Sequence, residues 1–414
     1  MLVRYFEMDA FNFDENLIQV TEYDLMGKLP DPFVCNDGVR LSDPKDWDKR
    51  RREIYEYAVT LQYGHMPPKP EFLEVEPLYL SAKGRPHSYR IITGRRDHPV
   101  SFTMTLFKAN VEEKPPVVIS GDLCFPYAFN KDYLNTFLDN GISFCTFNRC
   151  ELAPDVAASS FKGIGKEDGE YPLGEAIFER IKTGNCGGQL KECYPEYDFG
   201  AIAAWAWGYS RVVDALEILQ NVDLDMIAFT GHSRGGKTSL LAGAVDSRAA
   251  IVNTNAPCMG GGSCYRLKIR AVNEDGVEKP SEPLSNIIKT FPAWLGPKMG
   301  DYIGREDELP FDTHYLLSLV APRVLLCTEA GSDIWSNPVG IWHSSLAARE
   351  VFKFLGCEEN LIWNFRKGYH FQKTEDIGQL VNVIRHKKYG TPLNEHFYKL
   401  PFKPTEPIFD WKCP

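Results

Sequence analysis

The chain has 414 residues, of which 43% are hydrophobic and 25% charged, and its net charge is −10. That balance suits a globular protein able to bury a large core. It argues against nucleic acid or an anionic membrane as partner, since either needs a basic face.

Residues 1–20 carry Glu7, Asp9, Asp14 and Glu15 and no unbroken apolar run, so no secretory signal is read and a cytoplasmic location is expected. No stretch approaches the roughly 18 apolar residues of a membrane span. The eleven cysteines are an odd number without zinc-site spacing. Free thiols are expected, with no metal site and no cofactor.

Residues 1–40 are mixed and acidic. Residues 42–63 predict a helix, with Ser42 as its cap, Pro44 in the first turn, and an apolar stripe of Trp47, Ile54, Tyr55 and Val59. Residues 64–68, Gly-His-Met-Pro-Pro, stop it. Short alternating runs at 73–80, 89–93 and 101–107 predict antiparallel strands. Buried runs at 116–120 and 142–147 then change the pattern. A polar, Gly-rich segment at 151–197 is too long for a simple connection and reads as decoration around a site. A helix at 200–219 follows. Further strands are predicted at 226–230, 250–254, 322–328 and 361–365, with helices at 237–245, 344–355 and 379–386. Strands alternating with helices predict a mostly parallel central sheet covered on both faces, entered by antiparallel strands. This is the three-layer α/β-hydrolase layout. We expect one domain over 1–414, with 1–70 as an N-terminal extension on the core and 151–197 as an insertion near the site.

Gly231-His232-Ser233-Arg234-Gly235 lies between a predicted strand and a predicted helix, the setting of a nucleophile elbow. The glycines allow the close turn that leaves Ser233 exposed. A serine hydroxyl needs a histidine to take its proton, and the imidazole needs a carboxylate to hold its tautomer. His370 falls just after the last strand and is the candidate base. His232 adjoins the nucleophile as a packing residue, and His314 precedes a strand instead of following one. For the acid, Asp333 and Glu329 both lie at the end of the 322–328 strand; Asp333 has more room to reach His370, and Glu329 is the alternative. The oxyanion donors expected are the backbone N–H of Arg234 and the loop at Gly121 and Asp122. Arg234 and Lys237 place two cations beside the nucleophile, which favours an anionic or strongly polar acyl group, unless Arg234 pairs with Asp122 or Glu151.

The segment GHSRGGK at 231–237 resembles the nucleophile motif of the glucuronoyl esterases, carbohydrate esterase family 15, and in particular its bacterial branch. The similarity continues in order through YEYAVTLQYGHMPP (55–68), FNRCELAPD (147–155), DFGAIAAWAWGYSR (198–211), GGGSCYR (260–266), FPAW (291–294), LPFDTHYLLSLVAPR (309–323) and DIWSNP (333–338). The resemblance implies an α/β-hydrolase that cleaves esters of 4-O-methyl-glucuronic acid on xylan. It implies Ser233 as nucleophile, His370 as base and the Arg234 side chain as an aid to the oxyanion. Lys237, Glu282, Trp335 and Trp294 become sugar contacts. One branch carries its acid just ahead of the Gly-Gly motif, but no Asp or Glu occurs here between Asp246 and Glu274, which favours Asp333. The cysteines that flank the catalytic pair in that branch are replaced by His232 and Phe371, so their disulfide is absent. The expected partner is a small-molecule or oligosaccharide uronate ester. Two other readings stay open: a deacetylase of acetylated xylo-oligosaccharides, and a hydrolase-fold binding protein without turnover.

Overall fold

The structure is a computed structural model that describes residues 17–81, 86–125, 130–158 and 185–414. The expected helix at 42–63 is divided into a 3₁₀ turn at Pro44–Asp46, α1 at Trp47–Tyr55 and a π turn at Glu56–Leu61. Its cap is Asp43 instead of Ser42, because the Asp43 carboxylate accepts the Lys45 N–H. Gly64 ends the segment at φ 82°, where a side chain would run into the Asp198 carbonyl.

Among the described residues, twelve strands form two sheets. The large sheet begins with three antiparallel strands, β2 (Phe72–Leu80), β3 (His87–Gly94) and β4 (Pro99–Phe107). It continues as parallel β6 (Ser143–Phe147), β5 (Val117–Ser120), β7 (Ile227–Thr230), β8 (Ile251–Asn255), β11 (Val324–Ala330) and β12 (Leu361–Arg366). Its order is β12-β11-β8-β7-β5-β6-β4-β3-β2. The smaller sheet joins β1 (Ile18–Leu25), β9 (Leu267–Asn273) and β10 (Glu278–Pro280), all antiparallel, and lay outside the sequence expectation.

The parallel strands are buried on both faces, and their alternation sorts residues between two cores. Val117, Ile119, Leu325, Cys327 and Trp363 face one core, while Val118, Leu326 and Ile362 face the other. The first core is covered by α4 (Ala201–Leu219), α5 (Arg234–Val245) and α8 (Pro338–Phe354). The second is covered by α2 (Lys131–Leu138) and α9 (Thr374–Tyr389), through Tyr133, Phe137, Ile377, Leu380 and Ile384. Each fully buried Leu, Ile or Phe there contributes about 1.5–3 kcal/mol relative to exposure. Helix α4 approaches closely because Gly208 lies against Phe147 and Leu152, where a Cβ would come within 2.7 Å of Phe147. Shorter helices are α3 (Gly188–Cys193), α6 (Leu284–Thr290) and α7 (Thr313–Ser318). Among the described residues, no helix is long and apolar enough to cross a membrane. All eleven cysteines are free thiols. Of the 151–197 segment, 151–158 and 185–197 are described, and the remainder lies outside the described residues.

In α8, His343 is buried, with Nε2 against Thr405 Oγ1 at 3.0 Å, and burial pushes its pKa down to about 3 from 6.5. A depressed histidine pKa means that the unfolded chain binds a proton the folded chain refuses. The stability present above the ordinary histidine pKa is therefore lost as pH falls through this window. His343→Gln should flatten the dependence of unfolding free energy on pH by up to about 1.4 kcal/mol per unit between roughly pH 6 and 4. Urea denaturation at a series of pH values checks this, and an unchanged slope would remove His343 as a contributor.

Candidate active site

Parallel pairing brings the candidate residues to one edge of the sheet. Ser120 pairs with Thr230, so the loops after β5 and β7 leave side by side at the carboxyl ends, where the strand order changes direction. Ser233 follows β7 with φ 57° and ψ −119°, a strained conformation for a side-chain-bearing residue. Its N–H donates to the Asn255 carbonyl at 2.9 Å. Gly231 and Gly235 are needed on contact grounds: a Cβ on Gly231 would strike the Gly235 carbonyl, and one on Gly235 the Asp122 carboxylate. Helix α5 begins immediately at Arg234, three residues before the expected start. Arg234 N–H, on the first helical residue, has no carbonyl within the helix to bond.

The Ser233 hydroxyl lies 2.9 Å from His370 Nε2, and His370 Nδ1 donates to Asp333 Oδ2 at 2.5 Å. Asp333 sits in the turn after β11 and His370 in the turn after β12; those strands pair through Ala330 and Arg366. The Asp333 side chain is 4% exposed and that of His370 33%, so the histidine opens to solvent from a buried carboxylate. Asp333 Oδ1 also accepts the Ser336 N–H at 3.4 Å and caps the 3₁₀ turn Ile334–Ser336. Glu329 goes elsewhere. It shares strand parity with Leu325 and Cys327, points into the first core, and its Oε2 accepts the Ser336 hydroxyl at 3.1 Å. Complete burial, followed by the nearby Asp333, holds its pKa well above the carboxylate range.

Arg234 and Lys237, the two cations beside Ser233, are each paired with a carboxylate. Arg234 Nη1 donates to Asp155 Oδ1 at 3.0 Å, a partner other than Asp122 or Glu151. Lys237 Nζ lies 3.7 Å from Glu282 Oε2, with side-chain exposures of 2% and 7%. Burial is the main cause that raises the Glu282 pKa, and Lys237 opposes it. The Arg234 guanidinium lies 4.6 Å from the Trp294 ring centroid and 4.7 Å from that of Phe291, and the two rings stack 3.7 Å apart. Trp294 Nε1 also donates to Asp155, at 3.2 Å. Trp335 is 38% exposed, and its carbonyl accepts the Glu282 N–H at 3.0 Å.

The loop after β5 differs from expectation. Gly121 N–H already donates to the Tyr209 hydroxyl at 2.9 Å, and Asp122 N–H to Ser120 Oγ at 3.3 Å. Neither is a free oxyanion donor, because Tyr209 from α4 reaches under the strand end and bridges to the Thr230 carbonyl at 2.8 Å. Asp122 instead braces the elbow, with Oδ2 accepting the His232 N–H at 2.9 Å and Oδ1 pairing with Arg149.

Arg149, Asp155, Tyr209 and Asn255 went unrecognised in the sequence. Arg149 is fully buried, lies over Trp205 at 4.8 Å, and donates to Asp155 Oδ2 at 3.2 Å. The available signal was an arginine and an aspartate inside FNRCELAPD, directly after a buried strand, where unpaired charge is too costly to persist. His232 packs against His370, as expected of a packing residue. Its ring lies 4.7 Å from that of His370, and Nδ1 meets Asn255 Oδ1 at 2.6 Å. Burial first, then His370, pushes its pKa down to about 3, so it is neutral at neutral pH. Among the described residues, no three His, Cys, Asp or Glu side chains gather to hold a metal ion.

A family model described as glucuronyl esterase, fungi, matches residues 179–356. A carbohydrate esterase from an unknown prokaryotic organism is 28% identical over 411 residues, covering 89% of this chain and 88% of the relative. A 4-O-methyl-glucuronoyl methylesterase from Wolfiporia cocos is 29% identical over 339 residues, covering 80% of this chain and 73% of the relative. Among solved structures, a glucuronoyl esterase of carbohydrate esterase family 15 from Caldicellulosiruptor kristjansonii superposes with a TM-score of 0.77 at 27% identity, covering 94% of this chain and 98% of that one.

Proposed function

We propose that this chain, a carboxylic ester hydrolase with an α/β-hydrolase fold similar to that of carbohydrate esterase family 15 enzymes, cleaves esters of 4-O-methyl-glucuronic acid through a Ser233–His370–Asp333 triad and an acyl-enzyme. The observation that carries this reading is the continuous line from Ser233 Oγ through both His370 nitrogens to Asp333, at 2.9 and 2.5 Å. As Ser233 Oγ attacks the ester carbonyl, its proton passes to His370 Nε2. The imidazolium is stabilised by the Asp333 carboxylate, which accepts Nδ1–H throughout. Negative charge develops on the carbonyl oxygen beside the Arg234 N–H and guanidinium; one preorganised donor of this kind is worth about 10²–10³ in kcat. His370 then protonates the departing alcohol. Water, deprotonated by His370, next attacks the uronoyl-Ser233 ester and releases the uronate.

The sugar would rest against Lys237, Glu282 and Trp335, with Trp294 backing Arg234. Lys237→Gln should raise KM for methyl 4-O-methylglucuronate about tenfold, as loss of a charged hydrogen bond predicts, and leave p-nitrophenyl acetate turnover unchanged. Steady-state kinetics on both esters test this. Equal losses on the two would dismiss sugar recognition by Lys237. Deacetylation of acetylated xylo-oligosaccharides is the second reading. It is favoured by the pairing of both cations, which leaves less free charge to demand a uronoyl group. Faster turnover of the acetylated oligosaccharide than of methyl glucuronate would establish it instead.

A further inference from the structure

Arg234 and Lys237 stand beside Ser233, yet each is held against a carboxylate drawn from a distant part of the chain. Asp155 is the more constrained of the two acids. Its side chain is 7% exposed, Oδ1 accepts from Arg234 at 3.0 Å and Trp294 at 3.2 Å, and Oδ2 accepts from Arg149 at 3.2 Å. Arg149 in turn pairs with Asp122. Among the described residues, Asp122, Asp155 and Glu282 thus stand against Arg149, Arg234 and Lys237, one carboxylate for each cation. The Asp155 contact occupies only Nη1 of Arg234, and Nε is buried with no partner. Arg234 therefore keeps directional donors while its charge is offset.

That combination matters because the carboxyl group changes charge during the reaction. Esterified, it is neutral; hydrolysis by water yields a free acid that loses its proton to solvent and is an anion at neutral pH. A pocket with two uncompensated cations would bind the product more tightly than the substrate and release it slowly. We propose that Asp155 is a specificity-determining residue that offsets the Arg234 charge, so that the site takes the neutral uronoyl ester and lets the uronate anion go. The inference rests on the uronate-ester reading above. It makes Asp155 a positioning group acting through Arg234.

Inhibition of p-nitrophenyl acetate turnover by glucuronate and by its neutral isostere glucuronamide tests the proposal. In the unaltered protein, glucuronamide should bind at least as tightly as glucuronate. In Asp155→Asn, glucuronate should gain at least about tenfold over glucuronamide, a lower bound for one uncompensated charge at short range in a partly buried site. Asp155→Glu should restore the original ratio, which a purely structural role would not do. An unchanged ratio in Asp155→Asn overturns the proposal. So does a preference of more than about tenfold for glucuronate in the unaltered protein, a result that needs no folded variant. Absence of inhibition by both ligands would instead remove the uronate reading, and this inference with it.

Discussion

Ser233→Ala should remove about four to six orders of magnitude of kcat while leaving the protein folded. The lost Oγ is the atom 2.9 Å from His370 Nε2, so no nucleophile remains in line with the base. The fold should survive because alanine adopts the same φ of 57° at a strain like that of serine, and the backbone bond from residue 233 to the Asn255 carbonyl is kept. Two measurements check this: kcat on methyl 4-O-methylglucuronate, and labelling by a fluorophosphonate probe, which should disappear. Residual kcat above about 1% of the original, beyond what binding and oxyanion contacts alone supply, would place the nucleophile elsewhere. If the unaltered protein takes no label and turns over no ester, the chain is a binding protein on a hydrolase fold.

The second large effect separates two carboxylates four positions apart. Asp333→Asn should lower kcat by about 10³–10⁴ near neutral pH, because an amide there no longer holds His370 in the tautomer that leaves Nε2 free to accept. Glu329→Gln should retain nearly full kcat, since its Oε2 contact is Ser336 instead of His370. Its effect should appear in stability. The folded-state pKa of Glu329 is raised by burial, so as pH rises above the unfolded glutamate value the unfolded chain ionises while the folded chain resists. Stability present at low pH is lost over that rise, and glutamine avoids the loss. Glu329→Gln should therefore melt higher than the unaltered protein at neutral pH and similarly at acid pH. A collapse of kcat in Glu329→Gln, with Asp333→Asn active, would reverse the assignment of the acid.

The two acids show how far sequence reasoning reaches. Both could be placed at the carboxyl end of one predicted strand, because a short continuous apolar run is a local signal. Only the pleat decided between them. Glu329, still within β11, follows Leu325 and Cys327 into the core, while Asp333 lies beyond the strand and is free to turn toward β12. The small sheet escaped notice for a related reason. β9 alternates buried and partly exposed residues as a strand should, but its partner β1, with Ile18 opposite Asn273, comes from a far earlier part of the sequence. Nothing local says that the two will meet.

The elbow was legible for the opposite reason. Gly231, Ser233 and Gly235 act within five residues, and the close packing that demands glycine at two of those positions is written in their spacing. By itself, then, the sequence determined the α/β layering and pointed to Ser233 and His370 as candidate nucleophile and base, since each depends on periodicity, turn chemistry or strand order. The tertiary structure decided which acid faces His370. It also gave the Gly121 and Asp122 N–H groups to Tyr209 and Ser120, and offset Arg234 and Lys237 with Asp155 and Glu282. Buried charges and backbone donors must find partners wherever the fold brings them, and those partners lie up to 88 residues away along the chain.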